Sequence, residues 1–154
     1  MIFSFTNVPA LRKKLSKKKV VFVSGCFDVL HKGHVEFLQK ARSLGDVLVV
    51  GVLPDRYIKE HKKRSATRGQ RDRASVVEAL KSVDHVIITP FLSGSYPSLH
   101  ILHALRPDIF FCFENPQQYL PLKSELAALG ITLRSKRMKK TGSSSEIIRK
   151  WKRG

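Results

Sequence analysis

Apolar residues along this chain fall into short blocks of two kinds that take turns. Val20-Val21-Phe22-Val23, Val47-Leu48-Val49-Val50-Gly51-Val52 and Asp108-Ile109-Phe110-Phe111-Cys112-Phe113 are near-continuous β-branched, aliphatic and aromatic runs. That is the pattern of strands covered on both faces. Val86-Ile87-Ile88 and Ile131-Thr132-Leu133 are shorter runs of the same kind. Between them apolar positions recur at helical spacing: Val35, Phe37, Leu38, Ala41 and Leu44, stopped by Gly45, and Val76, Val77 and Leu80 within 73–82. Residues 96–105, 120–129 (closed by Gly130) and 143–151 read as further helices. The stretch 61–70 is basic and lacks periodicity, which predicts a mobile loop.

Strand, helix and strand in succession make βαβ units, which close right-handed. The whole pattern predicts an α/β fold: a single Rossmann-like, doubly wound domain over residues 19–154 with a mainly parallel five-stranded sheet. Residues 1–18, basic from Arg12 onward, are expected as an N-terminal arm or helix.

Length and composition narrow the reading. A chain of 154 residues has the size of one domain, and 42% hydrophobic residues supply a real core. No run approaches the roughly 20 apolar residues that span a bilayer. Met1–Phe5 is apolar but precedes its lysines, the reverse of a secretory signal, so a cytoplasmic location is expected. Two cysteines, Cys26 and Cys112, make neither a disulfide scaffold nor a four-cysteine zinc site, and no protein-held metal is expected.

Charge changes the picture more. The net charge is +17, and it is clustered: six basic residues in 12–19, eight in 56–73 and nine in 134–153. Three basic segments on a nearly balanced scaffold imply an anionic partner. A nucleic-acid-binding domain is the alternative that charge alone suggests. No RNA-module pattern or aromatic series accompanies the basic runs, and that alternative is disfavoured.

Candidate chemistry sits in the turn after the first strand, Ser24-Gly25-Cys26-Phe27-Asp28-Val29-Leu30-His31-Lys32-Gly33-His34. In open parallel sheets ligands bind beyond the carboxyl ends of strands. Gly25 allows a ligand close to the backbone, and Gly33 permits a tight entry into the following helix. Free N–H groups at a helix start form a phosphate site, and His31 and His34, three apart, flank that opening. A helix cap or half of a metal site would use the same residues, but no third ligand stands at a recognisable spacing.

These residues resemble the HxGH signature of the nucleotidyltransferase superfamily, in its cytidylyltransferase-like branch. The likeness extends to Leu44–Val52 with Asp55, to Arg73 ahead of Val83-Asp84-His85-Val86, and to Ser143-Ser144-Ser145-Glu146-Ile147-Ile148. Within the branch the pattern looks closest to the adenylyltransferase domain of the ADP-heptose synthase type, and it shares most of its frame with glycerol-3-phosphate cytidylyltransferases.

The resemblance implies transfer of a nucleoside monophosphate from ATP or CTP to a phosphorylated small molecule, a sugar phosphate such as heptose 1-phosphate preferred, with release of pyrophosphate. A cytidylyltransferase that makes a CDP-alcohol is the alternative. By resemblance His31, His34, Lys59 and Arg73 are catalytic, with Arg73 as a bidentate phosphate fork. Gly25, Cys26, Phe27, Glu114, Ser143, Ser144 and Ser145 join the two histidines in holding the nucleotide, and Lys59 and Lys62 bind the acceptor. Lys63 and Arg64 are expected to be solvated, and Asp28 to order its turn. Mg²⁺ is expected on the nucleotide phosphates, and relatives of this kind often pair as homodimers. Two departures stand out: Phe113-Glu114-Asn115-Pro116 replaces a Gly/Asp-rich stretch near the base, and Arg71 replaces an acid.

Overall fold

A computed structural model describes residues 1–91, 96, 98–113, 119–136 and 144–153, without the side chains of Ser144, Ser145 and Arg153. Its centre is one parallel sheet. The strands are β1 (Ile2–Phe3), β2 (Val20–Gly25), β3 (Val47–Val52), β4 (His85–Ile88), β5 (Ile109–Phe113) and β6 (Thr132–Lys136), in the order β1-β4-β3-β2-β5-β6. The doubly wound parallel architecture is as expected, with six strands in place of five. The extra strand is β1, where Ile2 and Phe3 pair with Val86 and Ile87.

Side-chain alternation along the strands divides the core. Val20 and Phe22 of β2, with Val49, Ile87 and Phe110, face one layer, which contains α1 (Val8–Lys14) and α5 (Leu99–Leu105). Val21 and Val23, with Leu48, Val50 and Phe111, face the other, which contains α2 (Lys32–Arg42) and α4 (Gln70–Glu78). The basic N-terminal helix is therefore amphipathic: Val8 and Leu11 are buried while Lys13 and Lys14 are exposed. Helix α3 (Asp55–Lys62) follows β3 where no helical period is detectable, because Ile58 is its only buried residue. Helix α6 (Lys123–Ala128) and helix α7 (Ser144–Arg153) complete the chain. No helix among the described residues is long and apolar enough to cross a membrane.

Aspartates that precede strands set the amino-terminal rim of the sheet. Asp46 accepts from the Lys19 N–H at 2.8 Å, Asp108 from the Val20 N–H at 2.7 Å, and Asp84 from the Leu48 N–H at 2.7 Å. Each carboxylate thus satisfies a backbone donor beside the first residues of a strand, where the ladder has no partner for it. Gly45 is needed here: a Cβ would stand 2.6 Å from the Lys19 carbonyl oxygen. At the opposite rim, β2 and β5 are neighbours whose connections leave in opposite directions, which opens a crevice at the switch point.

Candidate active site

A cleft of about 260 Å³ occupies that crevice. The turn after β2 supplies Gly25, Cys26, Phe27 and Asp28, and α2 supplies His34. Leu53, Tyr57 and Lys62 come from the β3–α3 side; Tyr96, Ser98, Phe113 and Tyr119 come from the segments flanking α5 and β5.

The two histidines build the helix entrance themselves. His31 is the N-cap of α2, and its Nδ1 accepts from the Gly33 N–H at 3.1 Å. His34 Nδ1 in turn accepts from the His31 backbone N–H at 3.4 Å, a capping box made of imidazoles. A backbone N–H requires a lone pair, so both rings carry their proton on Nε2. Burial lowers the His31 pKa, and burial together with the nearby positive charge of His31 and Lys62 pulls His34 down to about 4. Both rings are neutral near pH 7. They lie 4.0 Å apart between centroids, with Phe27 tilted against His34 at 5.4 Å. Phe27 itself holds a left-handed backbone, φ 46°, which turns the chain out of β2 toward the helix.

Other expected site residues are placed differently. Arg73 does not face the cleft; it is 1% exposed, and every guanidinium nitrogen donates inside the protein. Nε donates to the Arg68 carbonyl (3.1 Å), Nη1 to the Cys26 carbonyl, and Nη2 to the Leu53 carbonyl (2.8 Å) and to Asp55 (2.7 Å). The expected phosphate fork is instead a strut that ties the ends of β2 and β3 together. Lys59 is exposed on α3 and does not line the cleft, whereas Lys62 does. Glu114 and Ser143 lie outside the described residues, as do the side chains of Ser144 and Ser145.

Arg64, expected to be solvated, pairs with Asp28 at 2.5 Å, and Thr67 donates to the same carboxylate through its N–H (2.9 Å) and hydroxyl (2.8 Å). Burial opposes the Asp28 charge, but these bonds outweigh it and hold the carboxyl below its usual range. Asp28 thereby fastens the 63–69 segment to the histidine turn, so that segment is tied down where a mobile loop was expected. Lys63 fits the expectation: it is exposed, in a left-handed conformation that ends α3. Cys26 is a free thiol whose pKa is raised by burial, which leaves it protonated beside the ligand space.

Three tyrosines and Ser98 in the cleft belong to no sequence motif. Ser98 donates to Ser24 at 2.5 Å. Tyr96 and Tyr119 meet edge to face, 5.9 Å between centroids, and burial raises both phenol pKa values, Tyr119 to about 12.

At the switch point of a doubly wound sheet, a cleft lined by His34 opens beside the imidazole-capped entrance of α2, where His31 stands outside the lining, a setting suited to a phosphate. The chain belongs to the cytidylyltransferase-like family, whose sequence model matches residues 22–150. It is 45% identical over 96 residues, 61% of its length, to "Bifunctional protein HldE" of Helicobacter acinonychis (strain Sheeba). The protein of the same name from Campylobacter fetus subsp. fetus (strain 82-40) is 45% identical over 100 residues, 64% of this chain. The match spans about a fifth of the length of these relatives (20% and 21%). Among solved structures, a lipopolysaccharide core biosynthesis protein from Thermoplasma volcanium GSS1 superposes with a TM-score of 0.66 at 28% identity, covering 81% of this chain and 99% of that one. A pantoate-beta-alanine ligase from Francisella tularensis shares the fold: TM-score 0.67 at 16% identity, over 92% of this chain and 68% of the other.

Proposed function

We propose that the protein transfers a nucleoside monophosphate from ATP or CTP to a phosphorylated sugar and releases pyrophosphate. One observation carries this reading: the imidazole capping box presents two Nε2–H donors, side by side and uncharged, at the opening of α2. An acceptor phosphate oxygen attacks the α-phosphorus, a new P–O bond forms, and the bond to pyrophosphate breaks in line. Negative charge builds on the α-phosphate oxygens, and His31 and His34 donate to it without a proton having to move. Lys62 adds the positive charge, and the first-turn N–H groups of α7 are assigned to the β- and γ-phosphates.

Mg²⁺ fits this scheme as a passenger on the triphosphate, where it would neutralise the leaving pyrophosphate. Asp28 is the single carboxylate among the described cleft residues, and Arg64 and Thr67 occupy both its oxygens, which leaves phosphates and water to hold the ion. The sugar is supported by the family resemblance and by the likeness to the Thermoplasma volcanium protein, itself a lipopolysaccharide core biosynthesis protein.

The test is pyrophosphate release with Mg²⁺ and ATP or CTP against a panel of sugar, polyol and alcohol phosphates. Release should require a phosphorylated acceptor and should be fastest with a sugar phosphate. If no pair reacts while RNA binds tightly at physiological salt, the protein is a nucleic-acid-binding domain and the proposal fails.

A further inference from the structure

Of the 29 lysines and arginines in the chain, Lys62 alone lines the cleft among the described residues, and the topology decides where much of the remaining charge goes. In a parallel sheet each connecting helix ends beside the rim where the strands begin, so side chains at helix ends and in the links after them gather there. Lys17, Lys18 and Lys19 lead into β2, Lys40 stands in the last turn of α2 ahead of β3, Lys81 leads into β4, and Arg106 follows α5 ahead of β5. Lys13 and Lys14 end α1 on the same side. All eight are exposed, and none has an ion-pair partner among the described residues.

The acids at this rim are already engaged. Asp46, Asp84 and Asp108 accept from strand N–H groups, Asp84 also pairs with Arg42 at 2.9 Å, and Glu78 pairs with the amino-terminus at 2.5 Å. A helix dipole favours cations in its last turn, which accounts for Lys13, Lys14 and Lys40, but the preference fades beyond that turn. Lys17, Lys18, Lys19 and Lys81 stand past the helix ends, where the fold has no need of charge. Strands β4, β3, β2 and β5 are consecutive in the sheet, so the links that lead into them span three strand spacings, about 14 Å. The helices that contribute lie on both faces of the sheet, α1 and α5 on one and α2 on the other. The cations therefore form a two-dimensional field at the end of the domain opposite the cleft.

That layout bears on the partner. A nucleic-acid site combines cations with arginine forks or with aromatic faces on which bases stack. Seven of the eight cations here are lysines, and the exposed Phe113 and Trp151 lie elsewhere, at the carboxyl end of β5 and beside the Phe27-Asp28 turn. Lysine clusters hold an anionic bilayer by its headgroup charge and need no inserted side chain. We propose that the amino-terminal rim docks the protein on an anionic phospholipid surface, with the cleft turned away from the bilayer and open to its substrates. The docking face shares no residue with the cleft.

Vesicle flotation of the whole protein at about 0.15 M salt tests this, with vesicles of phosphatidylcholine alone and of phosphatidylcholine mixed equally with phosphatidylglycerol. The wild type should bind the mixed vesicles and ignore the neutral ones. Two triple variants lower the net charge equally. Lys17→Gln with Lys18→Gln and Lys40→Gln removes rim lysines; Lys123→Gln with Arg134→Gln and Lys136→Gln removes exposed cations from α6 and β6. A lysine beside such a surface is worth about fivefold in affinity, so the rim variant should bind about 100-fold more weakly and the other within about threefold of wild type. Circular dichroism checks folding, and Lys13→Gln with Lys14→Gln and Lys81→Gln replaces the rim variant if that one is unfolded. Three results overturn the proposal: a wild type that ignores the mixed vesicles, equal losses in the two variants, or duplex RNA bound more tightly than the mixed vesicles and through the same lysines, which makes the rim a nucleic-acid surface. Flotation needs no turnover, so the transfer reaction can fail while this test still decides the role of the rim.

Discussion

Replacing Arg73 with Met keeps the length of the side chain and removes its hydrogen bonds, and the structure dictates the consequence. Three carbonyl oxygens, on Arg68, Cys26 and Leu53, lose their donor, and Asp55 loses its cation. Breaking a buried ion pair costs about 3–5 kcal/mol. Asp55 is 46% exposed and water recovers part of its share, but the three stranded carbonyls add to the loss. A total of about 3–5 kcal/mol is therefore expected, a large part of the ~5–15 kcal/mol that holds a domain together. In urea, with m on the order of 2 kcal/mol/M, the midpoint should fall by about 2 M. Arg73→Lys should lose nearly as much, since one ammonium cannot span three carbonyls and a carboxylate. Unfolding monitored by circular dichroism gives the stability, and calorimetry below the transition gives ATP affinity. Stability within about 1 kcal/mol of wild type, with ATP affinity lowered 100-fold, would show that the guanidinium faces the ligand and that the strut is misread.

His31→Asn should keep the helix cap, because an amide oxygen also accepts from Gly33, but lose the Nε2–H donor; turnover should fall about 10²–10³-fold with the unfolding midpoint little changed. His34 gives a pH signature: with its pKa at about 4, its ring should stay neutral well below the ordinary histidine value and titrate only as pH approaches 4, read from its own ring resonances by NMR. Stability depends on the same group in the opposite order of states. The unfolded chain takes up the proton first, so stability declines from about pH 6.5 and the loss, about 3 kcal/mol, is complete below pH 4, measurable by urea titration across that range. Asp28→Asn should release the 63–69 segment, seen as faster trypsin cleavage at Lys63 and Arg64 and faster exchange of the Thr67 amide; unchanged cleavage would exclude the clasp.

Much of this molecule is legible from its sequence because the informative residues are local. The runs at 20–23, 47–52 and 108–113 are apolar on both faces, and parallel strands between helix layers need that. His31 and His34 lie one turn apart, so spacing alone places their rings together. The features that escape a sequence reading are either too short or too far apart. Strand β1 is two residues long, and α3 buries only Ile58, so neither has a period to detect. Tyr57, Tyr96 and Tyr119 reach the cleft from three separate connections, and no spacing links them. Arg73 stands out by its motif, but a motif fixes a position in the chain and says nothing of which way the guanidinium points. Its burial among three chain segments is a property of the packed loops.

The clasps made by Asp46, Asp84 and Asp108 stand at the rim away from the histidines. Alignment of the strands is thus secured at one end, and the cleft opens at the other. Side chains around the cleft can therefore be exchanged without loosening the carboxylates that hold the backbone layers in register.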